Sequence, residues 1–161
     1  MINKGYYYEK ILLRSLQYNK SKYSSCYFIK SPTPYLNLNE NEGFYSGIAL
    51  NDYVGIFNTK FILIELKTIH KDFFYKNILK KSQEETLKKI KKNKGFSFIV
   101  IVFAKTKKIY LIDIDSWISI KTKKISIEII EKDEKFILVK WLNPWNIDIL
   151  NTISNILSNI T

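Results

Sequence analysis

Residues 52–67 read DYVGIFNTKFILIELK, two runs of β-branched and aromatic residues separated by Asn58 and Thr59. Two such runs joined by two turn residues predict a β-hairpin. With a two-residue turn, residue 57 pairs with residue 60, and the pairs further from the turn bring Asp52 opposite Glu65. Side chains alternate along a strand, so Glu65 and Lys67 share one face. Directly opposed Cβ atoms lie about 5 Å apart, and the hairpin therefore predicts two adjacent carboxylates beside an ammonium group.

Two carboxylates at that distance repel each other, and a divalent cation between them removes the conflict. A second interpretation is that Asp52 lies in a turn and that Glu65 and Lys67 form an exposed edge pair worth about 0.2–1 kcal/mol. The spacing alone is too common a pattern to decide between the two. Both interpretations stay open at this point.

The segments around the hairpin predict a mixed β-sheet flanked by helices, in one α/β domain over residues 1–161. Apolar residues at helical spacing predict helices over residues 4–18, 82–93 and 147–157, with a short helical turn at 113–118. Ser82, followed three residues later by Glu85, is the capping-box signature of the second helix. Besides the hairpin, strands are predicted at 26–29, at 96–103 with 108–112, and at 124–130 with 136–141 as a second hairpin. Residues 36–43 are predicted to be a loop.

Composition limits the chemistry that the chain can perform. Of the 161 residues, 46% are hydrophobic, which is enough for a packed core. The chain has one cysteine, Cys26, and one histidine, His70, which excludes an intramolecular disulfide and a cysteine-rich zinc site. A metal would therefore be held mainly by oxygen ligands, which favours Mg²⁺, Mn²⁺ or Ca²⁺.

The charge predicts an anionic partner. The chain has 26 basic residues against 15 acidic ones, a formal net charge of +11, and Arg14 is the only arginine. Such a field attracts nucleic-acid phosphates, although a solvated lysine-rich surface is the alternative. The longest apolar run, residues 96–104, is too short to span a membrane. We expect a soluble cytoplasmic protein with no membrane partner.

Several segments occur in an order that matches a known family. They are Asn3-Lys4-Gly5 with Glu9-Lys10, KSPTP at 30–34, DYVG at 52–55, ILIELK at 62–67, and Gln83 with Leu87 before the apolar strand at 96. Together they resemble the RecU family of Holliday junction resolvases. Asp52 with Glu65-Leu66-Lys67 resembles the hairpin of PD-(D/E)xK nucleases, which implies a restriction-endonuclease-like fold.

The resemblance implies a role for each matching residue. Asp52, Glu65 and Gln83 would ligate Mg²⁺, with Mn²⁺ as an alternative, and Glu9 would lie near the metal. Lys67 would stabilise the transition state or hold the attacking water. Independently of the resemblance, lysines cluster after the hairpin, among them Lys71, Lys80, Lys81 and Lys88, and predict a track for DNA phosphates, with one solvated helix face as the alternative. The implied substrate is a four-way DNA junction cut by a homodimer, with recombination proteins as further candidate partners.

Three departures from the family pattern qualify this hypothesis. Leu50 stands where the family commonly has a metal-contacting threonine, Ser46 replaces an arginine, and the loop or stalk at about 35–43 is shorter than usual. Two alternatives therefore stay open. The chain is then either a non-catalytic protein that binds junctions or duplex DNA, or a nuclease of the same hairpin class that cuts linear duplex.

Overall fold

The computed structural model describes residues 4–31, 35–39, 42–45 and 52–160. Within these ranges the chain forms five α-helices and twelve β-strands. The helices are α1 (Lys4–Gln17), α2 (Lys81–Lys92), α3 (Ile114–Ser119), α4 (Ile127–Lys132) and α5 (Ile149–Ile160). The strands are β1 (Cys26–Lys30), β2 (Tyr35–Asn39), β3 (Glu42–Tyr45), β4 (Tyr53–Phe57), β5 (Lys60–Ile69), β6 (Phe73–Tyr75), β7 (Phe96–Phe103), β8 (Lys108–Asp113), β9 (Lys124–Ser126), β10 (Ile137–Leu138), β11 (Trp141–Asn143) and β12 (Asn146–Ile147).

A six-stranded sheet with the order β1-β4-β5-β7-β8-β10 forms the centre of the fold. β5 and β7 run parallel, and the other neighbouring pairs run antiparallel. A parallel pair needs a crossover connection, and α2 lies in the one between β5 and β7. The mixed sheet flanked by helices is therefore confirmed. Among the described residues, no helix combines the length and apolar character needed to cross a bilayer.

The β4–β5 hairpin has the predicted register. Phe57 pairs with Lys60 and Tyr53 with Ile64. Both turn residues have left-handed backbone angles, with φ of 47° at Asn58 and 66° at Thr59. Two positive φ values in succession are the geometry of the tight hairpin turn whose twist matches that of the flanking strands.

The sheet separates two apolar cores. Ile62, Ile64 and Leu66 of β5 face α1 and α5, whereas Leu63 faces α2 and α3. β7 is buried on both faces from Ser97 to Phe103, as its uninterrupted apolar sequence predicts for a central strand. β5 is likewise buried from Ile62 to Leu66, so any polar group on this part of the strand is held inside the protein.

Two local predictions are wrong. The loop predicted at 36–43 is wrong for the described residues of this range, because β2 and β3 pair as antiparallel strands. Residues 124–141 do not form a hairpin either, since β9 pairs with β6 and β10 pairs with β8. Between them the Ser126 hydroxyl accepts a hydrogen bond from the Ile129 N–H and starts α4. Isoleucines at 127 and 130 then face the core at helical spacing.

Candidate active site

The buried polar pair of β5 lies at the centre of the candidate site. Glu65 and Lys67 are two residues apart, so they project from the same face of the strand. The Glu65 side chain is 1% exposed and the Lys67 side chain 15%, and Lys67 Nζ lies 2.7 Å from Glu65 Oε1. A charge this deeply buried is tolerated only when it is paired. The interpretation of Glu65 and Lys67 as an exposed edge pair is therefore wrong.

Gln83 joins this pair from the first turn of α2. Its Nε2 donates to Glu65 Oε1 at 2.5 Å, and its Oε1 accepts from Lys67 Nζ at 3.0 Å. The same Oε1 accepts from the backbone N–H of Lys80 at 3.1 Å. One amide thus binds both charged groups and also the start of the helix.

The start of α2 differs from its prediction. The helix begins at Lys81, one residue before Ser82. The side chain that returns to the backbone at the helix start is that of Gln83 and not that of Glu85. The reason is tertiary, because Gln83 is held by Glu65 and Lys67 of β5, whereas Glu85 is exposed.

Asp52 precedes β4 and lies over the neighbouring strand. Continuing the hairpin register by one step from Tyr53 and Ile64 brings Asp52 level with Glu65. Its Oδ2 accepts a hydrogen bond of 2.8 Å from the Leu66 backbone N–H, which fixes the carboxylate against β5.

The ionisation of Asp52 depends on its surroundings. Burial raises the pKa of the Asp52 carboxyl above its ordinary value, and the Glu9 charge adds to that shift. The hydrogen bond from Leu66 and the charges of Lys67 and Lys30 act in the opposite direction. The carboxyl of Asp52 is therefore less readily ionised than an exposed one.

Glu9 lies on α1, which packs on the face of the sheet opposite to α2. Its carboxylate lies 2.5 Å from Lys30 Nζ, and its backbone carbonyl accepts a hydrogen bond of 2.9 Å from the hydroxyl of the buried Tyr53. Sequence reasoning assigned no role to Lys30 or Tyr53. Both residues lie in segments that carry the resemblance, Lys30 in KSPTP and Tyr53 in DYVG, so the sequence offered a signal for each.

The donor set can be compared with the metal that the sequence suggests. Two carboxylates, Asp52 and Glu65, and the amide oxygen of Gln83 offer hard oxygen ligands, which suit Mg²⁺ or Mn²⁺. Over the described ranges, no three His, Cys, Asp or Glu side chains gather closely enough to bind a metal without other donors. The chemistry of this set fits a divalent cation only if the Gln83 amide or water completes the ligands. Leu50 and Ser46 lie outside the described residues.

The four lysines predicted to contact DNA differ in availability. Lys71, Lys80 and Lys81 are exposed. Lys88 is also exposed, but its ammonium lies 2.5 Å from Glu84 Oε1 one turn earlier on α2. The positive surface beside the site is therefore partly neutralised at Lys88.

The chain was compared with protein families, named relatives and solved structures. A family model described as "Recombination protein U" matches residues 3–155. A protein of Mycoplasmopsis pulmonis (strain UAB CTIP) named Holliday junction resolvase RecU is 29% identical over an alignment of 163 positions that covers 98% of each chain. Among solved structures, the chain is similar to Hjc of Archaeoglobus fulgidus, a Holliday junction resolvase from an archaeal hyperthermophile. That likeness has a TM-score of 0.49 and 16% identity and covers 79% of this chain and 87% of the other.

Proposed function

The chain belongs to the recombination protein U family, and from that premise we propose that it is an endonuclease that resolves four-way DNA junctions. The relative from Mycoplasmopsis pulmonis carries that activity in its name and matches almost the whole chain. The observation that carries the proposal is the convergence of Glu65, Lys67 and Gln83, with Asp52, just before the adjoining strand, bonded to the Leu66 N–H. We place the activity in one nuclease domain over residues 1–161.

In this proposal Asp52, Glu65 and Gln83 hold Mg²⁺, with Mn²⁺ as the alternative. When bound, such a cation supplies Lewis-acid stabilisation of the phosphoryl oxygens and a water that ionises more readily. Asp52 is oriented for this role by the Leu66 N–H. Its pKa, raised by burial, means that ligation and ionisation of Asp52 would occur together, since a metal binds the deprotonated carboxylate.

In this proposal Lys67 adds a positive charge from the protein beside the charge of the metal. Its ammonium contacts Glu65 and Gln83 and is still 15% exposed, so it can reach a phosphate that approaches from solvent. There it would stabilise negative charge developing on the phosphate or orient the attacking water. Glu9, whose charge is balanced by Lys30, would stay near the metal without ligating it directly.

The substrate and the assembly follow from the same premise. The lysine-rich surface that includes Lys71, Lys80 and Lys81 would follow the DNA backbone, and a chain with one arginine would read shape more than base sequence. Cutting two opposed strands of a junction requires two sites, which a two-fold dimer provides. Recombination proteins are further candidate partners, and the cytoplasm is the expected location.

The test is cleavage of a labelled four-way junction with Mg²⁺ by the wild type, Asp52→Asn and Glu65→Gln. We expect both variants to lose roughly 10²-fold or more of the cleavage rate and to keep junction binding in a mobility-shift assay. Glu134→Gln, at an exposed position between α4 and β10, is the matched control and should cut normally.

Other results would point elsewhere. Undiminished cutting by either site variant would refute the site. A wild type that shifts the junction without cutting it would indicate a non-catalytic binder. Equal cutting of linear duplex would indicate a nuclease without junction selectivity.

A further inference from the structure

β6 directly follows β5, the strand that carries Glu65 and Lys67, and its outer side carries a half-buried Phe73 ring and an exposed Tyr75 ring. It pairs with β9, with Phe73 opposite Ser126 and Tyr75 opposite Lys124. The middle residue, Phe74, is buried. Because side chains alternate along a strand, Phe73 and Tyr75 project from the other side, and Tyr75 is 54% exposed. Phe74 therefore packs in the core, whereas the Tyr75 ring contributes little to core packing.

The two outer rings support each other. Phe73 and Tyr75 lie edge to face, with centroids 5.8 Å apart and an interplanar angle of 85°. The ammonium of Lys124 lies 4.2 Å from the Phe73 ring centroid and that of Lys71 lies 5.6 Å from it. Phe73 is thus fixed on its strand, and Tyr75 is the ring of the pair whose surface is mostly open.

These rings border a shallow pocket at the end of β5. The pocket is about 290 Å³ and is lined by residues 68–71, 73–75 and 78. In the sequence, Thr68 follows Lys67 directly and Ile78 lies five residues before Gln83. A volume at the lower limit for small-molecule sites, about 300 Å³, suits one planar ring better than a whole nucleotide.

The charge around the pocket is positive. Lys71 and Lys124 flank Phe73, and Lys121 and Lys123 are exposed on the segment that leads to β9. The nearby acid Asp72 is paired with Lys105 at 3.1 Å. An apolar surface with an exposed ring and surplus ammonium groups matches a nucleic-acid strand, which offers a flat base and a phosphate next to it.

We infer that Tyr75, supported by Phe73, is a stacking platform for one unpaired base of the DNA strand whose phosphate enters the site. This inference rests on the proposed function and names the feature of the substrate that the site selects. Strands exchange partners at the centre of a branched DNA, so a base there can leave its stack more cheaply than a base inside a duplex. A base stacked on Tyr75 would set the position of the strand relative to Lys67.

The test measures the affinity of the full chain, without metal, for a four-way junction and for matched junctions with an abasic residue at one branch nucleotide. We expect the wild type to bind one of the abasic junctions roughly tenfold more weakly, the scale of one base–aromatic stack. Tyr75→Leu should bind the intact junction as weakly as that and ignore the abasic change. Tyr75→Phe should behave as the wild type, and so should Tyr18→Leu, a control at an exposed tyrosine just after α1.

The outcomes separate this inference from the proposed function. If the wild type binds and cuts the junction but Tyr75→Leu binds equally well, or stays as sensitive to the abasic residue as the wild type, the platform is refuted and the nuclease stands. If the wild type binds no junction at all, both fail. Because the abasic substrate tests the unaltered protein, a folding defect in a variant cannot imitate the expected result.

Discussion

Gln83→Ala is the substitution that best tests the geometry of the site, because one amide makes three hydrogen bonds. Loss of the bond to the Lys80 N–H at the helix start should cost about 1 kcal/mol. Loss of the 2.5 Å bond to the buried Glu65 should cost about 1.5–3 kcal/mol, as for bonds to charged groups. Lys67 keeps its contact with Glu65 and reaches solvent, so its lost bond adds little. The expected loss in the free energy of unfolding is about 3 kcal/mol.

The matched control is Glu85→Ala, two residues further along the same exposed helix start. Glu85 is the residue that the sequence pattern placed in the capping box, but it is exposed and does not make the contact that Gln83 makes. Glutamate and glutamine have similar helix propensities, so the two variants differ mainly in these hydrogen bonds. We expect Glu85→Ala to change stability by less than about 0.5 kcal/mol.

The measurement is urea unfolding at neutral pH without metal, followed by far-ultraviolet circular dichroism and by tryptophan fluorescence. Equal slopes for the two variants would show that their denatured states are comparable. The reasoning is wrong if Gln83→Ala is no less stable than Glu85→Ala. It is also wrong if Glu85→Ala loses the larger amount, because Glu85 would then be the true capping partner.

Two further predictions concern the rest of the fold. At Gly55 an added Cβ would overlap the Phe28 ring, so Gly55→Ala should lower stability by about 2–3 kcal/mol; a thermal midpoint equal to that of the wild type would contradict this close approach. Burial opposes ionisation of Glu84, but the hydrogen bond and charge of Lys88, with the Trp117 indole, lower its pKa below the ordinary value. A lowered pKa stabilises the folded state above the unfolded value of about 4.3, and this contribution is lost as pH falls through the folded pKa. Glu84→Gln should therefore be less stable than the wild type at pH 7, and the difference should shrink as the pH falls below about 4 in urea unfolding; a difference independent of pH would count against it.

The hairpin register and the shared face of Glu65 and Lys67 could be predicted because both depend on local rules, the length of the turn and the alternation of a strand. The contact of Gln83 with both residues could not be derived locally. The pattern from Ser82 to Glu85 is a stronger capping signal within the sequence, and only packing of α2 on β5 overrides it.

Contacts between distant segments explain the other differences. The ion pair of Glu9 with Lys30 requires α1 to pack beside β1, and no spacing within either segment indicates that. Residues 124–130 alternate apolar and polar side chains as a strand does, yet the same isoleucines also suit one turn of helix. Residues 127–130 form a helix because Ser126 caps the start of α4, and residues 124–126 form a strand because β9 pairs with β6.

The two-residue turn at Asn58 and Thr59 has a consequence for how this hairpin can change in length. A φ of 66° is unfavourable for a β-branched residue such as Thr59. This tight turn sets the number of residues that separate Asp52 from Glu65 along the hairpin. An extra residue that slipped the pairing of β4 with β5 by one step would move β4 to the opposite pleat and carry the Asp52 carboxylate to the other face of the sheet, away from Glu65. Homologues that retain both acids should therefore accommodate a change of length at this bend in the loop, without a one-residue slip of the paired strands.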